Sequence, residues 1–280
     1  MKVELSASGQ NMQPLLKVEN LVKHYLKRSL VGAREELLAL DGVSFAIFPG
    51  TTLAVVGESG SGKSTLATCL ACLESPTSGS IWFEGKDIVK LDEHTRRQVH
   101  PQIQLIFQDP ASSLNPRWSV LEILVEPLIL QRKFNREEIN QRASCLLERV
   151  GLSTDIVERP PAELSGGQRQ RLAIARALAL EPKLLILDEA LSALDCSVQA
   201  QIANLLIELQ STLGMTYLFI THDLAMAAHL ADEIAVMNHG RIVERGPAKR
   251  ILKQPQHETT RELLAAVPRI TRSAPPASEQ

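Results

Sequence analysis

The stretch "LAVVGESGSGKST", Leu53–Thr65, decides the fold. Leu53 to Val56 run apolar without alternation into a glycine-rich turn, the pattern of a parallel strand buried on both faces. The turn reads Gly57-x-x-x-x-Gly62-Lys63-Ser64, a complete phosphate-binding loop in a strand–loop–helix setting. Gly57, Gly60 and Gly62 let the backbone wrap a phosphate with no Cβ in the way. Glu58, Ser59, Ser61 and Thr65 complete the loop. Lys63 is positioned for β- and γ-phosphates, and the Ser64 hydroxyl for Mg²⁺. The helix is expected to run from Lys63 to Leu73, with Cys69 and Cys72 on it as small core hydrophobes rather than as a metal pair.

Outward from this loop, other apolar runs end in polar residues. "LLILDE", Leu184–Glu189, closes on two acids. Asp188 is expected to hold Mg²⁺. Glu189 is expected to point away from Asp188 by strand alternation and to orient or deprotonate a water. Gln108 and His222 end the runs Ile103–Gln108 and Thr216–Asp223. In an open α/β sheet the carboxyl ends of the strands are the ligand edge. Gln108 can bind Mg²⁺ or the attacking water, and His222 a γ-phosphate oxygen. Tyr25, read as the end of an alternating edge strand Leu15–Tyr25, can stack on an adenine ring.

A second anion-binding form lies about a hundred residues downstream of the first. "ELSGGQRQRLAIARALAL", Glu163–Leu180, opens on Ser165, Gly166, Gly167 and Gln168 and continues as a helix. Arg169 and Arg171 stand in its first turn, where the dipole disfavours cations, so they are expected to face acids or phosphates of a partner or solvent.

The rest of the chain supplies the frame. Lys27–Glu36 reads as a charged loop, Ala39–Phe48 and Gly79–Gly85 as strands. Helices are expected over Val120–Leu130, over Asn135–Val150 with a capping box from Asn135 and Glu138, and over Cys196–Leu213. Ile234–Gly246 reads as a hairpin turning at Asn238-His239-Gly240, and Ala248–Val267 as a helical piece. Residues 1–14 are expected to be flexible and 269–280 disordered.

Composition excludes other classes. The net charge is -2 and aromatics are 4%, so neither bulk charge nor a stacking platform favours nucleic acid. No secretory leader is expected, and no apolar run approaches a membrane span; Leu121–Leu130 is broken by Glu122, Glu126 and Pro127.

In order along the chain, Gly57–Thr65, Gln108, Leu164–Gln168, Leu184–Glu189, Ser192-Ala193-Leu194-Asp195 and His222 resemble the ATP-binding subunit of an ABC transporter. The resemblance covers about Leu15 to Pro268. It implies an α/β P-loop NTPase of the ABC type, one nucleotide-binding domain over 15–268. An antiparallel β subdomain and an inserted helical subdomain, about 109–180, complete it. It implies ATP and Mg²⁺ as cofactors and a head-to-tail pair of ATP-binding chains. Ser165, Gly166, Gly167, Gln168 and Asp195 of one chain would then close over the nucleotide of the other. "FQDPASSLNPRWSV", "SALDCSVQAQIANLL" and "QPQHETTRELLAAVP" resemble the dipeptide/oligopeptide importers, a subfamily that includes nickel systems. Glu258-Thr259 and Ala190-Leu191 depart from that subfamily's usual Pro-Tyr and Pro-Thr. The implied partners are two permease subunits, a second ATP-binding subunit (identical or sister) and indirectly a solute-binding protein. The implied place is the cytoplasmic face of the inner or plasma membrane. A nickel or other small-solute importer and a soluble non-transport ABC ATPase are the alternatives.

Overall fold

The computed structural model of the protein describes residues 13–28, 34–109, 113–131 and 134–266. In chain order the strands are β1 (Leu16–Arg28), β2 (Arg34–Ile47), β3 (Thr52–Val56), β4 (Ser78–Phe83), β5 (Lys86–Asp87), β6 (Ile103–Ile106), β7 (Leu184–Asp188), β8 (Thr216–Thr221), β9 (Glu233–Asn238) and β10 (Arg241–Pro247). The helices are α1 (Lys63–Leu70), α2 (Glu93–Val99), α3 (Val120–Gln131), α4 (Arg136–Arg149), α5 (Gly166–Leu178), α6 (Cys196–Leu213), α7 (Leu224–Leu230), α8 (Ala248–Lys253) and α9 (Glu258–Ala265).

Continuous apolar runs make the central sheet. β3, β7 and β8 are buried at every position, so both of their faces must be covered. The period of two then sorts their side chains into two cores. Ala54, Val56, Leu185, Leu187, Tyr217 and Phe219 face one core, which is completed by α3, α4, α5 and α6. Leu53, Val55, Leu184, Ile186, Leu218 and Ile220 face the other, which is completed by α1 and an antiparallel sheet. Burying a side chain the size of Phe219 contributes about 1.5–3 kcal/mol, so the strands are held from both sides.

The sheet order is β10-β9-β3-β8-β7-β6. β3, β6, β7, β8 and β9 are parallel, and β10 returns antiparallel along β9. A second sheet, β2-β1-β4-β5, is antiparallel throughout. The chain is thus an α/β domain with α1 and an antiparallel β layer on one face of the parallel sheet and the helical layer of α3, α4, α5 and α6 on the other.

Several expectations change. β1 lies between β2 and β4 and is not an edge strand; alternation reports a half-buried face, not a position in the sheet. β1 also runs past Tyr25 and pairs with β2 at its far end (Lys27↔Glu35, Arg28↔Arg34), so the ends of the expected loop Lys27–Glu36 are hairpin strands. Helix α1 stops at Leu70, because Cys72 takes a left-handed φ of 58°; Cys69 is buried and Cys72 only half-buried beyond the helix. The expected single helical piece Ala248–Val267 is two helices, parted around Pro255. The capping box of α4 forms between Asn135 and Glu138, and the β9–β10 turn falls at His239 and Gly240, both with positive φ. The expected flexible N-terminus (residues 1–12 of it) and the expected disordered tail lie outside the described residues.

Candidate nucleotide site

β3 delivers the phosphate loop at its carboxyl end, and neighbouring backbone holds the loop in shape. A Cβ on Gly57 would stand 2.2 Å from the Met237 carbonyl oxygen, and one on Gly62 2.3 Å from that of Ala39. The Gly240 N–H donates to the Ser61 carbonyl (2.9 Å), and the Asp41 N–H to that of Gly240 (2.9 Å). The β9–β10 turn and β2 therefore clasp the loop, and its glycines are required by packing as well as by a ligand.

The Lys63 ammonium is buried and donates to the carbonyls of Gly57 (2.9 Å) and Glu58 (2.8 Å). Burial pushes its pKa down, against the pull of Glu189 and Asp188. The Ser64 hydroxyl donates to Asp188 Oδ1 (3.2 Å). Asp188 is also buried, and its carboxyl is pushed up by burial despite that hydrogen bond and Lys63. Both shifts mean that the charged forms lack solvation, the condition under which an anionic ligand at Lys63 and a cation at Asp188 are favoured. The Ser61 hydroxyl is buried without a protein partner among the described residues. An orphaned buried donor at Ser61 and a hard-oxygen pair at Ser64 and Asp188 fit a phosphate chain with Mg²⁺.

Strand alternation ends at Asp188. Glu189 takes φ 47°, with its N–H donating to Ile220 O (2.9 Å). The turn brings its side chain toward the same loop that Asp188 faces, which corrects the expectation that the two diverge. Glu189 Oε1 lies 3.8 Å from Lys63 Nζ, and Oε2 lies 3.5 Å from His222 Nδ1. A non-glycine residue in this region is strained by about 1–3 kcal/mol, which the surrounding contacts must sustain. His222 itself is exposed. Gln108 is exposed and donates to the Ser192 hydroxyl (3.4 Å), which donates to the Glu189 carbonyl (2.8 Å). Ser192 is thus the link between Gln108 and Glu189. Nothing in its local sequence marks that role, because Gln108 is far away along the chain.

Tyr25 stands mid-strand rather than at a strand end. Its hydroxyl donates to Glu74, and Thr65 is its second polar neighbour. Tyr25 therefore sits against the first turn of α1.

The second cradle is capped on itself. The Ser165 N–H donates to Gln168 Oε1 (2.9 Å) and the Gln168 N–H to Ser165 Oγ (3.2 Å). A Cβ on Gly167 would stand 2.7 Å from Val198 Cγ1, so this glycine lets α5 approach α6. Asp195 caps α6 through Val198 N (2.9 Å). Arg169 and Arg171 each donate to a carbonyl of their own chain, those of Leu164 and Val150. Val150 is the C-cap of α4, where a cation is favourable, so these arginines answer neighbouring carbonyls rather than their own helix dipole.

A buried parallel sheet with this loop and acid pair at its carboxyl edge defines a P-loop nucleotide-hydrolysing domain. The chain belongs to the ABC transporter family, whose profile matches residues 40–192, and it is an ATP-binding ATPase of that family. It is 47% identical to the dipeptide transport ATP-binding protein of Escherichia coli, over 92% of this chain and 78% of that one. It is 45% identical to the di/tripeptide transport ATP-binding protein of Pseudomonas aeruginosa, over 92% and 80%. Among solved structures it resembles a dimeric ATP-binding cassette in a post-hydrolysis state bound to ADP and Pi, with a TM-score of 0.74 and 31% identity over 83% and 98% of the chains. No helix among the described residues is long and apolar enough to cross a membrane.

Proposed function

We propose that the protein powers an importer of di- or oligopeptides by clamping and hydrolysing ATP between two ATP-binding chains, at the cytoplasmic face of the membrane. One nucleotide-binding domain spans 15–268, with a helical subdomain about 109–180. The observation that carries the clamp is the self-capped helix start at Ser165–Gln168, whose packing contacts run to Leu194 and Val198 of the same layer. The N–H groups of Gly166 and Gly167, which that cap does not use, suit an anion brought by another chain. The peptide reading rests on the relatives named for dipeptide and di/tripeptide transport.

In this reading Lys63 and the loop N–H groups of 57–65 hold the β- and γ-phosphates. Ser64, Asp188 and Gln108 hold Mg²⁺, which when bound neutralises phosphate charge. Glu189 takes the proton of the attacking water, Gln108 orients that water through its link to Ser192, and His222 donates to a γ-phosphate oxygen. Tyr25 carries the adenine. Ser165–Gln168 and Asp195 face the partner's nucleotide. The permeases dock in an open groove of about 1150 Å³ between the sheet and the helical layer, lined by Phe107, Glu126, Pro127, Leu130 and Arg176. A solute-binding protein would deliver the peptide to those permeases.

The test is Glu189→Gln, which removes the base and keeps the shape. Hydrolysis is expected to fall about 10²-fold or more while ATP still binds. The variant should elute as a dimer with ATP and as a monomer with ADP. If it stays monomeric with ATP even with its sister ATP-binding subunit present, the clamp is wrong.

A further inference from the structure

Tyr25 is held by a small charged cluster that the hydrolytic chemistry leaves unused. Its phenol donates to Glu74 Oε2, just beyond the C-terminal end of α1. Lys23 Nζ lies 3.4 Å from the same carboxylate oxygen and donates to the Ser75 carbonyl (2.8 Å). The same ammonium sits 5.0 Å from the Tyr25 ring centroid, over one face of the ring. A tyrosine on a strand keeps rotational freedom about its ring axis and at χ1; two fixed partners at its tip and face remove most of it.

From this geometry we infer that Glu74 is the positioning residue of the base platform. It anchors the Tyr25 hydroxyl and holds Lys23 over one ring face, so that a purine base stacks on the other. The inference rests on the reading of Tyr25 as the adenine platform. The ordering cost of the ring is met before the nucleotide arrives, which strengthens binding without a new ligand contact. A charge-assisted hydrogen bond to a carboxylate also enriches the ring's electrons, which favours stacking on a nucleobase. Glu74 itself touches no nucleotide atom in this arrangement. Its effect is confined to ligands that carry a base.

The full-length protein is titrated with ATP and, separately, with inorganic tripolyphosphate, which has the phosphates but no base. Tyr25→Ala is expected to weaken ATP about fivefold or more, the size of a lost base–aromatic stack. Glu74→Ala is expected to weaken ATP in the same direction, and both variants should bind tripolyphosphate as the wild type does. Glu74→Gln retains an acceptor and should recover part of the affinity. A second readout is spectroscopic. The chain has two tyrosines, and burial pushes the phenol of the other, Tyr217, far up, so Tyr25 is the one that ionises first. In the wild type the Tyr25 phenol is held above its ordinary value by burial and then by Glu74, with Cys69 adding to the shift. Glu74→Ala should lower its ionisation pH in an alkaline absorbance titration. Equal weakening of ATP and tripolyphosphate by Glu74→Ala would mean that Glu74 acts through the phosphate loop, and the inference fails. Unchanged ATP affinity in Glu74→Ala, with Tyr25→Ala weakened, would also overturn it while leaving the platform intact. If Tyr25→Ala leaves the ratio of ATP to tripolyphosphate affinity unchanged, the platform itself is wrong.

Discussion

Lys63 separates function from stability at a single residue. Its ammonium is buried, hydrogen-bonded to the loop carbonyls of Gly57 and Glu58, and 3.8 Å from Glu189. Burial pushes its pKa below the ordinary value even with Glu189 and Asp188 nearby, so the fold holds this charge at a net cost that a methionine removes. Lys63→Met should therefore melt at or above the wild-type temperature while losing ATP affinity at least about tenfold, or ~1.4 kcal/mol. Paired calorimetry and nucleotide titration check this; wild-type affinity would move the phosphate site elsewhere. Gly62 behaves in the opposite way. It has φ 104°, and a Cβ there meets the Ala39 carbonyl, a backbone atom that cannot swing aside. Gly62→Ala should destabilise by about 2 kcal/mol or more, seen as a lowered Tm even without nucleotide. The loop's glycine pattern is legible in the sequence as a phosphate cradle. That two of its glycines also answer to β2 and β9 is not, because the carbonyls that crowd them come from distant segments.

Among the elements, α9 shows how a short helix is kept in place. A helix of about two turns does not hold itself in water. Its entry is pinned by Glu244 on β10, which accepts from Gln256 N (3.0 Å), His257 N (2.9 Å) and Thr260 Oγ1 (2.6 Å). Asn238 adds a bond to Thr259 (3.0 Å). Burial acts to raise the Glu244 carboxyl, but the hydrogen bonds from Thr260, His257 and Gln256 outweigh it and leave it below the ordinary value of 4.5. A depressed folded-state pKa means that the stabilisation is fully present above the unfolded value and is lost as pH falls through the folded one. Acid should therefore release α9, and protection from amide exchange, relative to the intrinsic rate at each pH, should be lost over residues 256–265 below pH 4.5 before it is lost in β3 and β8. Glu244→Ala should produce the same local release at neutral pH, costing about 1–3 kcal/mol for the orphaned donors. If the core exchanges in step with α9, the latch is not local. The helical character of this tail is visible in its sequence; its division into two helices docked on β10 depends on Glu244, whose partners lie more than ten residues away.

For the whole molecule the question is which chain the second cradle serves. Ser165→Arg fills the helix start with bulk and keeps the phosphate loop untouched. In the Glu189→Gln background it should abolish the ATP-induced dimer seen by size-exclusion chromatography. Affinity of the monomer for ATP should stay near that of the parent, within about twofold. Loss of ATP binding by the monomer would instead assign Ser165–Gln168 to the chain's own nucleotide. The arginines that follow give no help here, since both are committed to carbonyls of their own chain.

The sequence by itself determined the buried strands, the phosphate loop, the acid pair and the two anion-shaped helix starts. Each is a local pattern, set by continuous apolar runs, glycine spacing or capping chemistry within a few residues. The tertiary structure alone decided that β1 is internal to its sheet. It also decided that Glu189 turns left-handed toward Lys63 and His222, that Ser192 joins Gln108 to Glu189, and that Tyr25 is fixed by Glu74. Those outcomes depend on which distant segments the packed sheets bring within hydrogen-bonding reach, and that proximity is created only when the two cores close on the opposite faces of the central sheet.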